Sequence, residues 1–182
     1  MEGNNNFNFY ENTKYNYNRI KRQTLVLDID KSLNGDDHDF SLLLDEPLII
    51  DTKSEIYLDS FTTYSCTVNT GTNGDNICFA VGINEFNIKT IGGSAETSGT
   101  NNNPPYPENP NLKNKIIIPN EQDETGTGKM KIHKGKKLNY ICQIDPCKLR
   151  KISGSITNLN GNTAFSDATS RVLIEFLIVS QE

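Results

Sequence analysis

Along this chain apolar residues recur at every second position in a series of short stretches, and no stretch sustains the 3.6-residue spacing of an amphipathic helix. In Thr24–Asp30, Leu25, Leu27 and Ile29 point one way and Thr24, Val26 and Asp28 the other. Phe40–Ile50 is strand-like, with Pro47 restricting its middle to a sheet edge or a bend. Within Glu55–Val68, the residues Ile56, Leu58, Tyr64, Cys66 and Val68 share one parity and hence one predicted face. In Ile77–Ile88 the apolar positions change phase, from Ile77, Phe79, Val81 and Ile83 to Phe86 and Ile88. Such a shift predicts a β-bulge near Asn84-Glu85. Further strands are predicted at Lys115–Pro119, Leu138–Ile144, Ile152–Leu159 and Arg171–Ser180. The last is apolar on both faces, with Val172, Ile174, Phe176 and Ile178 on one and Leu173, Leu177 and Val179 on the other. That pattern predicts burial on both sides, by a second layer or by a partner.

Between these strands lie turn and loop signals: Asn34-Gly35, the polar run Asn69–Asn76, and the long Pro- and Asn-rich segment Gly92–Asn114. About eight short strands punctuated in this way predict two antiparallel sheets packed as a sandwich. No internal repeat is visible, so a single domain over residues 22–182 is expected. Residues 1–21 are too polar for a core element, yet they carry Phe7, Phe9, Tyr10, Tyr15 and Tyr17. They read as a flexible N-terminal arm, with the aromatic side chains as anchors on a neighbouring subunit.

Charge and composition narrow the function. A net charge of −5 argues against a polyanion partner for the chain as a whole, so no specific nucleic-acid binding is expected. The polar N-terminus offers no secretory signal, and no apolar run approaches the roughly 20 residues that span a bilayer. The hydrophobic fraction of 35% is low, as a chain completed by its neighbours, or one with long polar loops, would show.

Candidate chemistry is sparse. Asp30-Lys-Ser32-Leu-Asn34-Gly35-Asp36 partly matches a calcium loop but has Ser41 where a bidentate Glu belongs, so an acidic surface turn is the better reading. Glu124–Met130 echoes a phosphate loop but lacks its first Gly and its hydroxyl. His38 and His133 are far apart in sequence and read as solvated side chains, and Ser153-Gly154-Ser155 lies in an ordinary strand pattern. Cys66, Cys78, Cys142 and Cys147 lack zinc-ligand spacing. Cys66 and Cys78 fall on opposite faces, which disfavours a bridge, whereas Cys142–Cys147 across Asp145-Pro146 stays open. The strongest charge feature is Lys129, Lys131, Lys134, Lys136 and Lys137 with Lys148, Arg150 and Lys151. It suits a solvated edge as well as a contact with an acidic neighbour. No catalytic constellation assembles, so a structural protein without metal or cofactor is expected rather than an enzyme.

Four phrases carry a resemblance: EIYLDSFTTYSC, ICFAVGINEFNIKT, MKIHKGKKLNYICQIDPCKLRKISGSITNLNG and the terminal RVLIEFLIV. Together, over roughly residues 22–182, the chain resembles the single jelly-roll penton (vertex) and minor capsid proteins of large nucleocytoplasmic DNA viruses. The resemblance implies one eight-stranded antiparallel jelly roll, the double-sheet form used by capsid and lectin domains. It also implies a homo-oligomer, a pentamer in the penton role, set in a virion among major and minor capsid proteins and assembled in the host cytoplasm. The residues expected at subunit contacts are the five arm aromatics, Lys134, Lys136 and Lys137, and Leu173 and Leu177. Two rival readings use the same architecture. A lectin-like or trimeric tumour-necrosis-factor-like module would bind through Gly92–Asn114, with Tyr106 as its aromatic platform. A cupin-like enzyme would need clustered His and Glu ligands, which two distant histidines do not supply.

Overall fold

A computed structural model of the protein describes residues 20–34, 39–68, 77–86, 88, 114–120, 130–133, 139–166 and 168–181. Within them the period-two stretches form strands β1 (Ile20–Asp30), β2 (Phe40–Ile50), β3 (Ser54–Tyr64), β4 (Cys78–Ile83) and β5 (Lys115–Pro119). They are followed by β6 (Met130–His133), β7 (Asn139–Ile144), β8 (Cys147–Thr157) and β9 (Arg171–Gln181). The single helical turn among the described residues is α1 (Lys31–Asn34). It is started by Asp30, whose Oδ1 accepts from Ser32 N at 2.9 Å and from the Ser32 hydroxyl. These contacts, the side-chain one foremost, lower the Asp30 pKa. Asp30 therefore acts as a helix cap; Asp36, Asp37 and His38 of the acidic turn lie outside the described residues.

The ladders are antiparallel and nested: β1 pairs with β9, β2 with β8, β3 with both β6 and β7, and β4 with β5. The chain thus runs as one long hairpin. Two further ladders, β9 on β3 and β8 on β4, gather it into two sheets. One sheet has the order β1-β9-β3, with β6 and β7 sharing the far edge of β3; the other has the order β2-β8-β4-β5. Nine strands therefore occupy eight strand positions.

The inward faces meet in one core. Leu25, Leu27 and Ile29 of β1, and Val172, Ile174, Phe176 and Ile178 of β9, come from the first sheet. Phe79 and Val81 of β4, and Ile152 and Ile156 of β8, come from the second. Phe61 stacks on Phe79 at 5.3 Å between ring centroids, Phe79 meets Phe165 at 5.3 Å, and Phe86 meets Phe176 edge-on at 5.1 Å. At one end of the sandwich Lys31 N donates to Ser170 O at 3.0 Å and Ser166 N to Thr67 O at 2.9 Å, which joins the segments after β1, β3 and β8. At the other end the outermost pair Ile20–Gln181 brings the two chain ends of the domain side by side.

Bulges decide several faces differently from simple alternation. No bulge occurs at Asn84-Glu85: β4 stops at Ile83, and a turn follows in which Phe86 N donates to Ile83 O at 3.2 Å. Ile77 precedes the strand and is exposed, not part of the Phe79 face. The shift in β3 lies at Asp59, which has no partner between the pairs Leu58–Phe176 and Ser60–Glu175. Beyond it Phe61 and Thr63 turn inward and Tyr64 turns out to solvent, contrary to the predicted face. In β7, Ile141 is passed over between the pairs Ile56–Cys142 and Tyr57–Tyr140, so Cys142 is buried but Tyr140, which simple alternation would place on the same face, is exposed. Pro47 sits on edge strand β2, within a register break between Leu43 and Leu48, as its missing N–H requires.

None of the four cysteines is in a disulfide, Cys142 and Cys147 included, which stand on strands of different sheets. Thiol titration in denaturant without reductant should count four; a count of two would contradict the unbridged core.

Candidate functional site

The described surface that looks most like an interface is the outward face of the β1-β9-β3-β7 sheet. Because β1, β9, β3 and β7 are in fixed register, its side chains form cross-strand rows. Thr24, Leu177, Tyr57 and Tyr140 make the central row, with Arg22, Val179, Glu55 and Gln143 on one side of it. On the other side stand Val26, Glu175 and Ser60, and then Asp28, Leu173 and Thr62. Sequence alternation predicts burial of β9 on both faces, and the structure corrects that. Leu173 is exposed and Leu177 and Val179 are half-buried, because β9 is central within its sheet but covered by the second sheet on one side only. Val26, at 50% exposure, and Tyr140, at 51%, extend the apolar area to both edges. Tyr57 and Tyr140 meet edge-to-face at 5.8 Å.

Three carboxylates of this face, Asp28, Glu55 and Glu175, accept from partners on the same face. Arg171 grips Asp28 through Nε, 2.7 Å from Oδ1, and through a second guanidinium nitrogen on Oδ2. This pairing raises the Arg171 pKa further above its ordinary value. Ser60 donates to Glu175 at 2.8 Å and the Tyr57 hydroxyl to Glu55 at 2.6 Å; the latter bond raises the phenol pKa. Groups already paired in this way cost less to cover than bare charges. The Arg171–Asp28 pair is itself exposed, so Arg171→Met is expected to cost at most about 1 kcal/mol in a melting measurement.

Of the residues predicted at subunit contacts, Leu173 and Leu177 both lie on this face. Phe7, Phe9, Tyr10, Tyr15 and Tyr17, and Lys134, Lys136 and Lys137, lie outside the described residues, as do Lys129, most of Gly92–Asn114 with Tyr106, and the phosphate-loop echo before Met130. Lys148, Arg150 and Lys151 are exposed on β8, in the other sheet. Sequence reasoning did not single out Tyr57 and Tyr140 for this face. The outward position of Val26 was legible; that of Tyr140 was hidden by the bulge at Ile141.

On the outward face of the second sheet Lys115 of β5 reaches across Gly82 of β4 and donates to the Ser155 hydroxyl of β8. Gly82 leaves the room, since a Cβ there would lie 2.8 Å from Lys115 Nζ. Burial lowers the Lys115 pKa, while the charge of Asp39 acts in the opposite direction. With the folded pKa below the unfolded one, the unfolded chain binds more protons between the two values, so stability rises with pH across that window. The melting temperature of the wild type should therefore climb relative to that of Lys115→Met as the pH approaches the ordinary lysine pKa. Parallel curves would contradict this.

Among the described residues no group of three or more His, Cys, Asp or Glu is placed to hold a metal ion. Ser153 lies in β8, where its N–H and hydroxyl donate to the Glu85 carboxylate at 2.9 Å, a contact that ties the turn after β4 to the sheet. Among the described residues no helix is long and apolar enough to cross a membrane. No protein-family model and no curated protein matches the chain.

Proposed function

We propose that this chain is a structural capsid protein of a large icosahedral DNA virus, a single jelly roll that assembles by apolar burial, in the penton role at the vertices. The observation that carries the reading is the nested ladder. Eight strand positions pair first with last and inward in order, and then split into sheets β1-β9-β3-β6/β7 and β2-β8-β4-β5. A long antiparallel hairpin rolled into two sheets is the path of a jelly roll, the architecture of capsid and lectin domains. The open apolar face around Leu177 supports assembly over ligand chemistry, as does the sequence resemblance to vertex and minor capsid proteins. In this reading the partners are further copies of the chain and neighbouring major and minor capsid proteins. The location is the virion, and the protein performs no catalysis.

Immunogold labelling of intact particles with antibody against the purified protein tests the proposal. Label concentrated at the vertices is the expected result, and label spread over the facets favours the minor capsid role. A protein absent from particles, whose melting temperature shifts with added sugars, would replace the proposal with the lectin reading.

A further inference from the structure

We infer that the outward face centred on Leu177 and Tyr57 is the docking site for residues 1–19 of another copy of this chain, the part of the N-terminal arm that precedes β1. The inference deepens the assembly proposal and rests on it.

The arm begins where the face begins. Its last residue precedes Ile20, which pairs with Gln181 at the end of β9, the strand that carries Leu173 and Leu177. Its aromatic residues alternate with polar ones in two blocks, Asn6-Phe7-Asn8-Phe9 and Tyr15-Asn16-Tyr17-Asn18. An extended segment of this kind sets Phe7, Phe9, Tyr15 and Tyr17 on one side and asparagines on the other. Four such rings at roughly 150–250 Å² each supply roughly 600–1,000 Å² of contact. That matches the roughly 800 Å² each partner gives to a standard interface. The charges also fit. Residues 1–19 contain Glu2, Glu11, Lys14 and Arg19, with no net side-chain charge, and the carboxylates of the face, Asp28, Glu55 and Glu175, are held by their own neighbours.

Geometry favours another copy over the same one. β1 runs inward from Ile20, so an extended continuation backwards from Ile20 leaves the sheet at its end instead of crossing its face. An arm continuing in extended form, at about 3.3 Å per residue, would carry Phe7 and Phe9 on the order of 40 Å beyond Ile20. That is about the length of a whole strand of the sheet, and so within reach of a neighbour.

Hydrogen exchange read by mass spectrometry tests this on the full-length chain, with two variants and their mixture. One variant replaces Phe7, Phe9, Tyr15 and Tyr17 by Ser; the other is Leu177→Asp, with Leu177→Ser as a milder second version. Melting curves first establish that each variant is folded. The expected result is slow exchange of arm amides in the wild type at assembling concentration, and fast exchange in the dilute monomer and in each variant alone. Mixing the variants should restore slow exchange to the arm of the Leu177→Asp chain, whose intact arm now finds an intact face. Protection of the arm in the dilute monomer, or failure of the mixture to restore it, overturns the inference. Pentameric rings with rapidly exchanging arms would also overturn it while leaving the assembly proposal standing. Protected arms in a dimer would uphold the docking and contradict the vertex role.

Discussion

Gly154→Ala is expected to destabilise the protein by about 3 kcal/mol or more, at the upper end of what an overpacked core costs. A Cβ at this position would stand 2.0 Å from the backbone oxygen of Gly82 and 2.7 Å from Phe40 Cζ. Phe40 is a side chain and could turn aside, but the Gly82 carbonyl belongs to β4, held by its ladders to β5 and β8. Trimming the ring should therefore rescue little: Phe40→Leu combined with Gly154→Ala is expected to melt no higher than Gly154→Ala alone. Denaturant titration of the single and double variants checks this. An unchanged midpoint for Gly154→Ala would mean that β4 and β8 do not approach as described.

The second large effect contrasts two neighbours on β9. Phe176 is fully buried, against Phe86, and Phe176→Ala should cost about 3–5 kcal/mol. Leu177 points to the opposite face and is half-buried. Leu177→Asp should cost the monomer only about 1 kcal/mol, in the range of changes outside the core. In an assembled interface, however, the same carboxylate would be buried without a partner, at a cost of several kcal/mol. Assembly should then fail while the monomer melt barely moves. A collapse of monomer stability in Leu177→Asp would place this face inside the domain and remove it as a contact surface. Melting curves of the two variants, taken beside sedimentation of the Leu177→Asp protein, separate these outcomes.

What the sequence could reveal is what depends on neighbours along the chain. The period-two pattern marks strands and their faces wherever pairing is regular, so Leu25, Leu27 and Ile29 of β1 were legible as core and Val26 as surface. The bend at Pro47 was legible because a missing N–H is a property of the residue itself. Bulges are different, because they arise from the fit of one strand against another. Asp59 and Ile141 have no local signature, and their two shifts sent Tyr64 and Tyr140 outward against the predicted parity. The same limit explains the phase change after Ile83, where local parity cannot distinguish a bulge from a strand that ends in a turn. Strand order is more remote still: the pairing of β1 with β9 joins segments at opposite ends of the domain. The apolar outward side of β9 was visible from its composition, but its being open rather than covered follows from which sheet lies over it. Of the candidate contact residues, the structure brings Leu173 and Leu177 together with Tyr57 and Tyr140, and pairing alone reveals that company.

The proposed vertex role requires copies of this domain to assemble around a five-fold axis. Native mass measurement of the purified full-length chain over a range of concentrations tests it most directly. A discrete species of five chains, visible as a ring by electron microscopy and lost in Leu177→Asp, is the predicted result. A stable trimer would point to the tumour-necrosis-factor-like alternative, and a monomer at every concentration, with no ring in any image, would contradict the account.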